Sequence, residues 1–377
     1  MLPHNDATPA YACNAAPFLH GPEIEAMTRA LLAGQYGHHA ETERFEAELA
    51  EFLDVPDVVT VSRCTAALHL ALVAAGIGRG DDVVVPSQTF CATVHAIRAA
   101  DAVPRFADID PDTQCVTADT IAEAITDDTR AVLPVHYGGR AVDLTELAPA
   151  LAEHRITVVE DAAHAFGSRH RDGRLVGTTG ALTCFSFGPI KTITSIEGGA
   201  IVPRDRREAE RLRTLRLLGI RAKQAERISS TDYQVDGTGL PYHLSAVHAA
   251  VGRVQLRHHH VVAERRITLW RAYADALADI DDVQLIDLDI DHTIPFNAVV
   301  RVPHRDAVFA RMKQAGIGVG VHYPPNHTQP AFRRWIRPRP LPATEATAAE
   351  LLSLPFHPAM TEHDVTTVVS TLATMLH

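Results

Sequence analysis

No apolar run in this chain approaches the ~18–20 residues that span a bilayer, and its start, MLPHNDATPAYACN, lacks the basic-then-apolar layout of a signal peptide. No membrane partner is therefore expected, and residues 1–20 read as a polar N-terminal arm. Cysteine is sparse. Cys13, Cys64, Cys91, Cys115 and Cys184 form an odd set without C-x-x-C spacing, which fits reduced thiols in the cytoplasm better than a disulfide framework or a zinc site. Positive charge is in deficit: 35 Lys and Arg face 46 Asp and Glu, for a formal net charge of −11. A nucleic-acid partner needs a basic stripe to neutralise phosphates, so none is expected. GIGRG and GIGVG stop short of G-x-G-x-x-G, which removes the main support for a nicotinamide dehydrogenase. The triplet His258 to His260 points to different faces of a helix, and no metal is expected there.

What is present is a core. Of the 377 residues 46% are hydrophobic, enough for roughly two domains. From Val58 to Pro203 short β-branched runs (VVTV, DVVVPS, PRFADID, RAVLPVHY, ITVVED, ALTCFSF, GGAIVP) recur with room for a helix between them. That rhythm predicts a mostly parallel, buried sheet. Helical spacing marks ETERFEAELAEFL, TAALHLALVAAG and TADTIAEAI, with Thr117 or Asp119 as a start cap for the last. After Ser245 one long helical stretch, SAVHAAVGRVQLRHHHVVAERRITLWRAYADAL, reads as a connector. Beyond it lie a strand-like FNAVVRV, a helix near DAVFARMKQAG, the loop YPPNHTQP and a final helix. The expected division is an arm over 1–20, a large domain over 21–250 and a small C-terminal α/β domain over 251–377.

Ligands of open α/β sheets bind beyond the carboxyl ends of the strands, so residues just after the apolar runs carry the functional signal. Asp161 follows ITVVE and opens DAAHAFGS. It reads either as a helix N-cap or as a carboxylate that keeps a pyridine nitrogen protonated. Lys191, in FSFGPIKTITSIEGG, is isolated from other basic residues. It reads either as a surface-loop lysine or, in an apolar setting, as an imine-forming amine. A strand-end Asp followed about thirty residues later by a Lys in a glycine-rich turn matches pyridoxal-phosphate (PLP) sites.

Five segments carry a more specific resemblance: SRCTAALHLAL (62–72), VVVPSQTFCATVHAI (83–97), VVEDAAHAFGS (158–168), FSFGPIKTITSIEGGAIV (185–202) and LSLPFHPAMTEHD (352–364). In this order they resemble the DegT/DnrJ/EryC1/StrS family of aminotransferases. The resemblance implies a fold type I PLP-dependent transferase, with a mostly parallel mixed sheet, flanking helices and a smaller C-terminal α/β domain. It implies catalytic roles for Lys191, as Schiff-base lysine and proton shuttle, and for Asp161, on the ring nitrogen. His164 would lie near the ring oxygen and Phe90 on the ring face, while Ser186 and Thr65 would hold the phosphate of PLP or its aminated form PMP, with Cys64 also among the cofactor-binding residues. The implied partners are L-glutamate as amino donor, a nucleotide-linked keto sugar (by family frequency a dTDP-4-keto-6-deoxyhexose) and a second copy in a homodimer.

Two departures limit the transfer. The family often has Gly-Thr at the first phosphate loop, where this chain has Arg63-Cys64-Thr65, so the loop must adopt an ordinary backbone conformation. Pro241 and His243 replace the asparagine and arginine of the family's G-x-N-Y-R, which puts the cross-subunit phosphate contact in question. Arg63, His322, Tyr323 and His327 are candidate substrate contacts. A 3-keto sugar, a cyclitol or another carbocyclic ketone also satisfies the motifs. A sugar dehydratase, which has histidine in place of the lysine, is disfavoured by Lys191, and a non-catalytic PLP-binding sensor by the intact Lys191, Asp161 and Ser186.

Overall fold

The computed structural model describes residues 8–34, 36–221, 231–335 and 340–376. After helices α1 (Pro22–Leu32) and α2 (Ala40–Leu53), strand and helix alternate: β1 (Val59–Val61), α3 (Cys64–Ala74), β2 (Asp82–Pro86), α4 (Cys91–Ala99), β3 (Val103–Ala107), α5 (Ala118–Ala124), β4 (Thr129–Val132), α6 (Ala148–Glu153) and β5 (Thr157–Asp161). Strands β6 (Leu182–Ser186) and β7 (Gly199–Val202) follow, then α7 (Arg206–Leu215). These strands form one seven-stranded sheet in the order β1-β7-β6-β5-β4-β2-β3. Strand β7 runs against its neighbours β6 and β1, whereas the pairs from β6 to β3 are parallel. The continuous apolar strands expected of a sheet covered on both faces are buried along β1, β2, β6 and β7.

Local chemistry sets several boundaries. Thr117, one of the two residues expected to start α5, is its cap, in a reciprocal capping box with Thr120. The long stretch after Ser245 is two helices, α8 (Ala246–Arg257) and α9 (His259–Leu277). The break falls at His258 because its ring Nδ1 bonds to Val254 O at 2.9 Å, and its backbone N–H turns to Gln255 O instead. The neighbouring His259 is buried against Phe52 and Phe166, while His258 stacks on His20. Among the described residues no group of three or more His, Cys, Asp or Glu could hold a metal ion.

The C-terminal part adds β8 (Gln284–Leu285), β9 (Ala298–Arg301), α10 (Arg305–Gln314), α11 (Pro342–Ala348), β10 (Leu351–Leu354) and α12 (Glu362–Met375). Strands β10, β9 and β8 form a small antiparallel sheet. One hydrophobic cluster runs from Val84 and Val132 through Tyr273 to Val299, Leu352 and Val368, tying the small sheet to the large one. The arm is pinned there. Asn14 Nδ2 donates to Ser353 O and Leu354 O, each at 3.0 Å, and Phe356 N–H donates to Asn14 O. Among the described residues no helix is long and apolar enough to cross a membrane.

Candidate active site

Strands β1, β5 and β6 end at one edge of the large sheet, and β7 begins there. Gly199 faces both Val61 and Ser186, and Asp161 faces Cys184. Helix α3 starts at this edge. Its N-cap, Arg63, is extended (φ −160°, ψ 158°) and provides no side-chain cap, so among the described residues the first N–H groups of α3 lack a capping acceptor and are open to a ligand. Gly199 makes the close approach possible: a Cβ there would lie 2.7 Å from Cys64 N and 2.8 Å from Arg63 C. Cys64 therefore sits in ordinary helical backbone. Its Sγ faces Cys184 O at 3.9 Å, and burial pushes the thiol pKa well above its usual value.

Asp161 ends β5 and caps no helix. Its Oδ1 accepts from Ala163 N–H at 3.1 Å and its Oδ2 from the Thr93 hydroxyl at 2.8 Å. Burial raises its pKa, opposed by those two hydrogen bonds and by the charge of Lys191. Lys191 lies in the turn after β6, with its N–H on Gly188 O at 3.2 Å. Its Nζ sits 4.2 Å from the centroid of the Phe296 ring. Burial pulls the ammonium down to about 8, while Cys64 and Asp161 pull it upward. Arg266, 2% exposed, supports this turn from below: Nη2 donates to Ile190 O at 3.3 Å and Nη1 to Phe296 O at 2.9 Å.

His164 stacks on Phe296 with ring centroids 3.9 Å apart and planes 16° apart. Its Nε2 meets the Tyr323 hydroxyl at 3.1 Å, and its buried Nδ1 has no hydrogen-bond partner among the described residues. Burial holds its pKa well below the usual histidine value, so the ring is neutral. Phe90 caps α4 and is 56% exposed, open to stacking. At the mouth Arg63 pairs with Glu197 at 3.2 Å.

The expected cofactor residues all line one cavity of about 260 Å³, together with Arg63 and Tyr323. His322 and His327 do not line it. His322 Nδ1 is turned to Ser353 Oγ at 2.7 Å, and His327 Nδ1 to Ser87 Oγ at 2.7 Å. Pro241 and His243 also lie elsewhere: Pro241 pairs with Leu217 and His243 with Val61, beside the start of α3. Sequence reading missed Thr89, Thr93 and Glu197, which line the cavity, and Phe296, which underlies Lys191 and His164. Thr93 carried a signal in being one helical turn beyond Phe90; Phe296 carried none.

Comparison with known proteins agrees with this geometry. Aminotransferase TlmJ from Streptoalloteichus hindustanus is 34% identical, with a TM-score of 0.89 over 96% of this chain and 98% of that one. Sugar aminotransferase CalS13 from Micromonospora echinospora is 30% identical, with a TM-score of 0.89 over 96% and 99%. Spr1654 from Streptococcus pneumoniae, solved in its PMP form, is 25% identical, with a TM-score of 0.90 over 96% and 98%. Fold and site together define a fold type I, PLP-dependent aminotransferase. The model of the DegT/DnrJ/EryC1/StrS aminotransferase family matches residues 19–373, and the chain belongs to that family.

Proposed function

We propose that this aminotransferase moves an amino group from L-glutamate to a nucleotide-linked keto sugar, with dTDP-4-keto-6-deoxyhexoses as the first candidates, and that it works as a cytoplasmic homodimer. The kinship with sugar aminotransferases such as CalS13 supports the substrate class. The convergence of Lys191 and Asp161 on one cavity is the observation that supports the chemistry most directly.

The side chains fit the cofactor. The free N–H groups of α3, with the Thr65 and Ser186 hydroxyls, suit a phosphate. Asp161 suits a protonated ring nitrogen, the orphaned Nδ1 of His164 suits a ring oxygen, and the exposed face of Phe90 suits the ring itself. Bound PLP supplies an electron sink for the pair left when a substrate C–H loses its proton. Lys191 would hold the cofactor through Nζ and, once freed, would take and return that proton. An amine pulled to about 8 is poised to do both near neutral pH. Neutral His164 orients the Tyr323 hydroxyl without adding charge. Arg63 at the mouth meets the negative charge that glutamate and a nucleotide diphosphate share.

The test is a half-reaction. PLP-loaded protein should show a band near ~420 nm that L-glutamate removes while 2-oxoglutarate appears. Borohydride should fix the cofactor to the peptide containing Lys191, and Lys191→Ala should lose both signals. Keto-sugar panels then rank a 4-keto sugar against a 3-keto sugar or a carbocyclic ketone. A protein that binds PLP reversibly and never consumes glutamate would refute the assignment.

A further inference from the structure

Burial drives Asp161 toward its neutral acid, yet both of its oxygens already accept hydrogen bonds. The donor to Oδ2 is Thr93, and a hydroxyl has one proton to give. With that proton directed to Asp161, the 3.0 Å contact between the Thr93 and Thr89 hydroxyls has one polarity: Thr89 donates and Thr93 accepts. Both threonines are buried, at 1% and 2% exposure. Thr89 is in turn held by Asn326, whose Nδ2 donates to Thr89 O at 2.6 Å and Ser87 O at 3.0 Å. In the opposite polarity the proton would sit on Asp161 and Thr93 would donate to Thr89. The Thr89 hydrogen would then have no protein acceptor among the described residues and could turn only to the cavity that Thr89 lines. The pair of hydroxyls thus favours the carboxylate over the acid, against the effect of burial.

We propose that Thr93, backed by Thr89, is the positioning residue that keeps Asp161 ionised, so that the proton shared with the cofactor's ring nitrogen resides on the nitrogen. The proposal rests on Asp161 being the partner of that nitrogen. Thr93 N–H closes the first turn of α4 on Phe90 O at 3.1 Å, so one helix start carries both the candidate ring cover and the hydroxyl that orients the carboxylate.

The experiment compares binding of PLP and 1-deaza-PLP, in which a C–H replaces the ring nitrogen, by fluorescence titration. Wild type should prefer PLP. Thr93→Val, nearly isosteric, should lower that preference about tenfold by weakening PLP alone, because only the nitrogen-bearing ligand senses the state of Asp161. Thr93→Ser should restore it. Thr89→Val, which leaves the Thr93–Asp161 contact in place, should give a smaller loss in the same direction and carries the test should Thr93→Val fail to fold. Equal weakening of both ligands in Thr93→Val, or no change in either, would overturn the proposal. A wild type that does not distinguish the two ligands would instead overturn the pairing of Asp161 with the ring nitrogen.

Discussion

Lys191 Nζ rests on the face of Phe296, 4.2 Å from its centroid, and the neutral imidazole of His164 stacks on the same ring. A ring face stabilises an ammonium. Phe296→Leu keeps the site apolar and removes that attraction, so the Lys191 pKa should fall below its value of about 8. Capture of PLP needs the neutral amine and should rise with pH through that pKa. Stopped-flow capture rates across pH should show the inflection moved down by about half a pH unit in the variant.

The same lysine makes the apoprotein's stability depend on pH. Folded, Lys191 releases its proton near 8; in the unfolded chain it does so near 10.5. Below 8 both states hold the proton and only the folded one bears the cost of burying the charge. Stability should therefore rise as pH climbs between those two values. Lys191→Met apoprotein should be the more stable protein at pH 7, by up to about 3 kcal/mol, with the gap closed once pH passes 10.5. Urea unfolding on either side of that window measures it.

Gly199→Ala should damage phosphate binding without unfolding the sheet. The new Cβ would press on Cys64 N and Arg63 C, costing about 1–3 kcal/mol, and α3 would retreat from the sheet edge. Affinity for PLP should fall by about tenfold or more, and inorganic phosphate should cease to compete with PLP, in calorimetric titrations at unchanged far-ultraviolet circular dichroism.

Arg266→Met leaves the carbonyls of Ile190, Pro295 and Phe296 without their donor. Orphaned buried acceptors cost about 1–3 kcal/mol, so the melting temperature should drop. Because Ile190 adjoins Lys191, borohydride trapping of PLP should also slow, which separates this variant from a purely destabilising one elsewhere in the core.

Much of the large sheet and the chemistry at its edge was legible because strand, turn and helix start are contiguous there. Asp161 and Ser186 end strands, Thr65 lies in the first turn of a helix and Lys191 follows Ser186 within one turn of chain. What escaped reading depends on encounters between distant segments. Phe296 and Arg266 reach Lys191 from beyond α8, and the His258 break depends on a ring competing for its own helix's carbonyl. The loop YPPNHTQP divides in the same way. Tyr323 faces the cavity, whereas His327 is turned to Ser87, a distinction that no spacing encodes.

The pinned arm has a consequence for biosynthesis. Tyr11 and Asn14 leave the ribosome well ahead of the groups they bond, Gly318 N–H and the carbonyls of Ser353 and Leu354, the last two lying 339 and 340 residues beyond Asn14. During synthesis the large sheet can assemble with the arm still unplaced. The arm can dock only after β10 has emerged, so the small sheet and the seat of the arm are completed after the strands of the large sheet are already out.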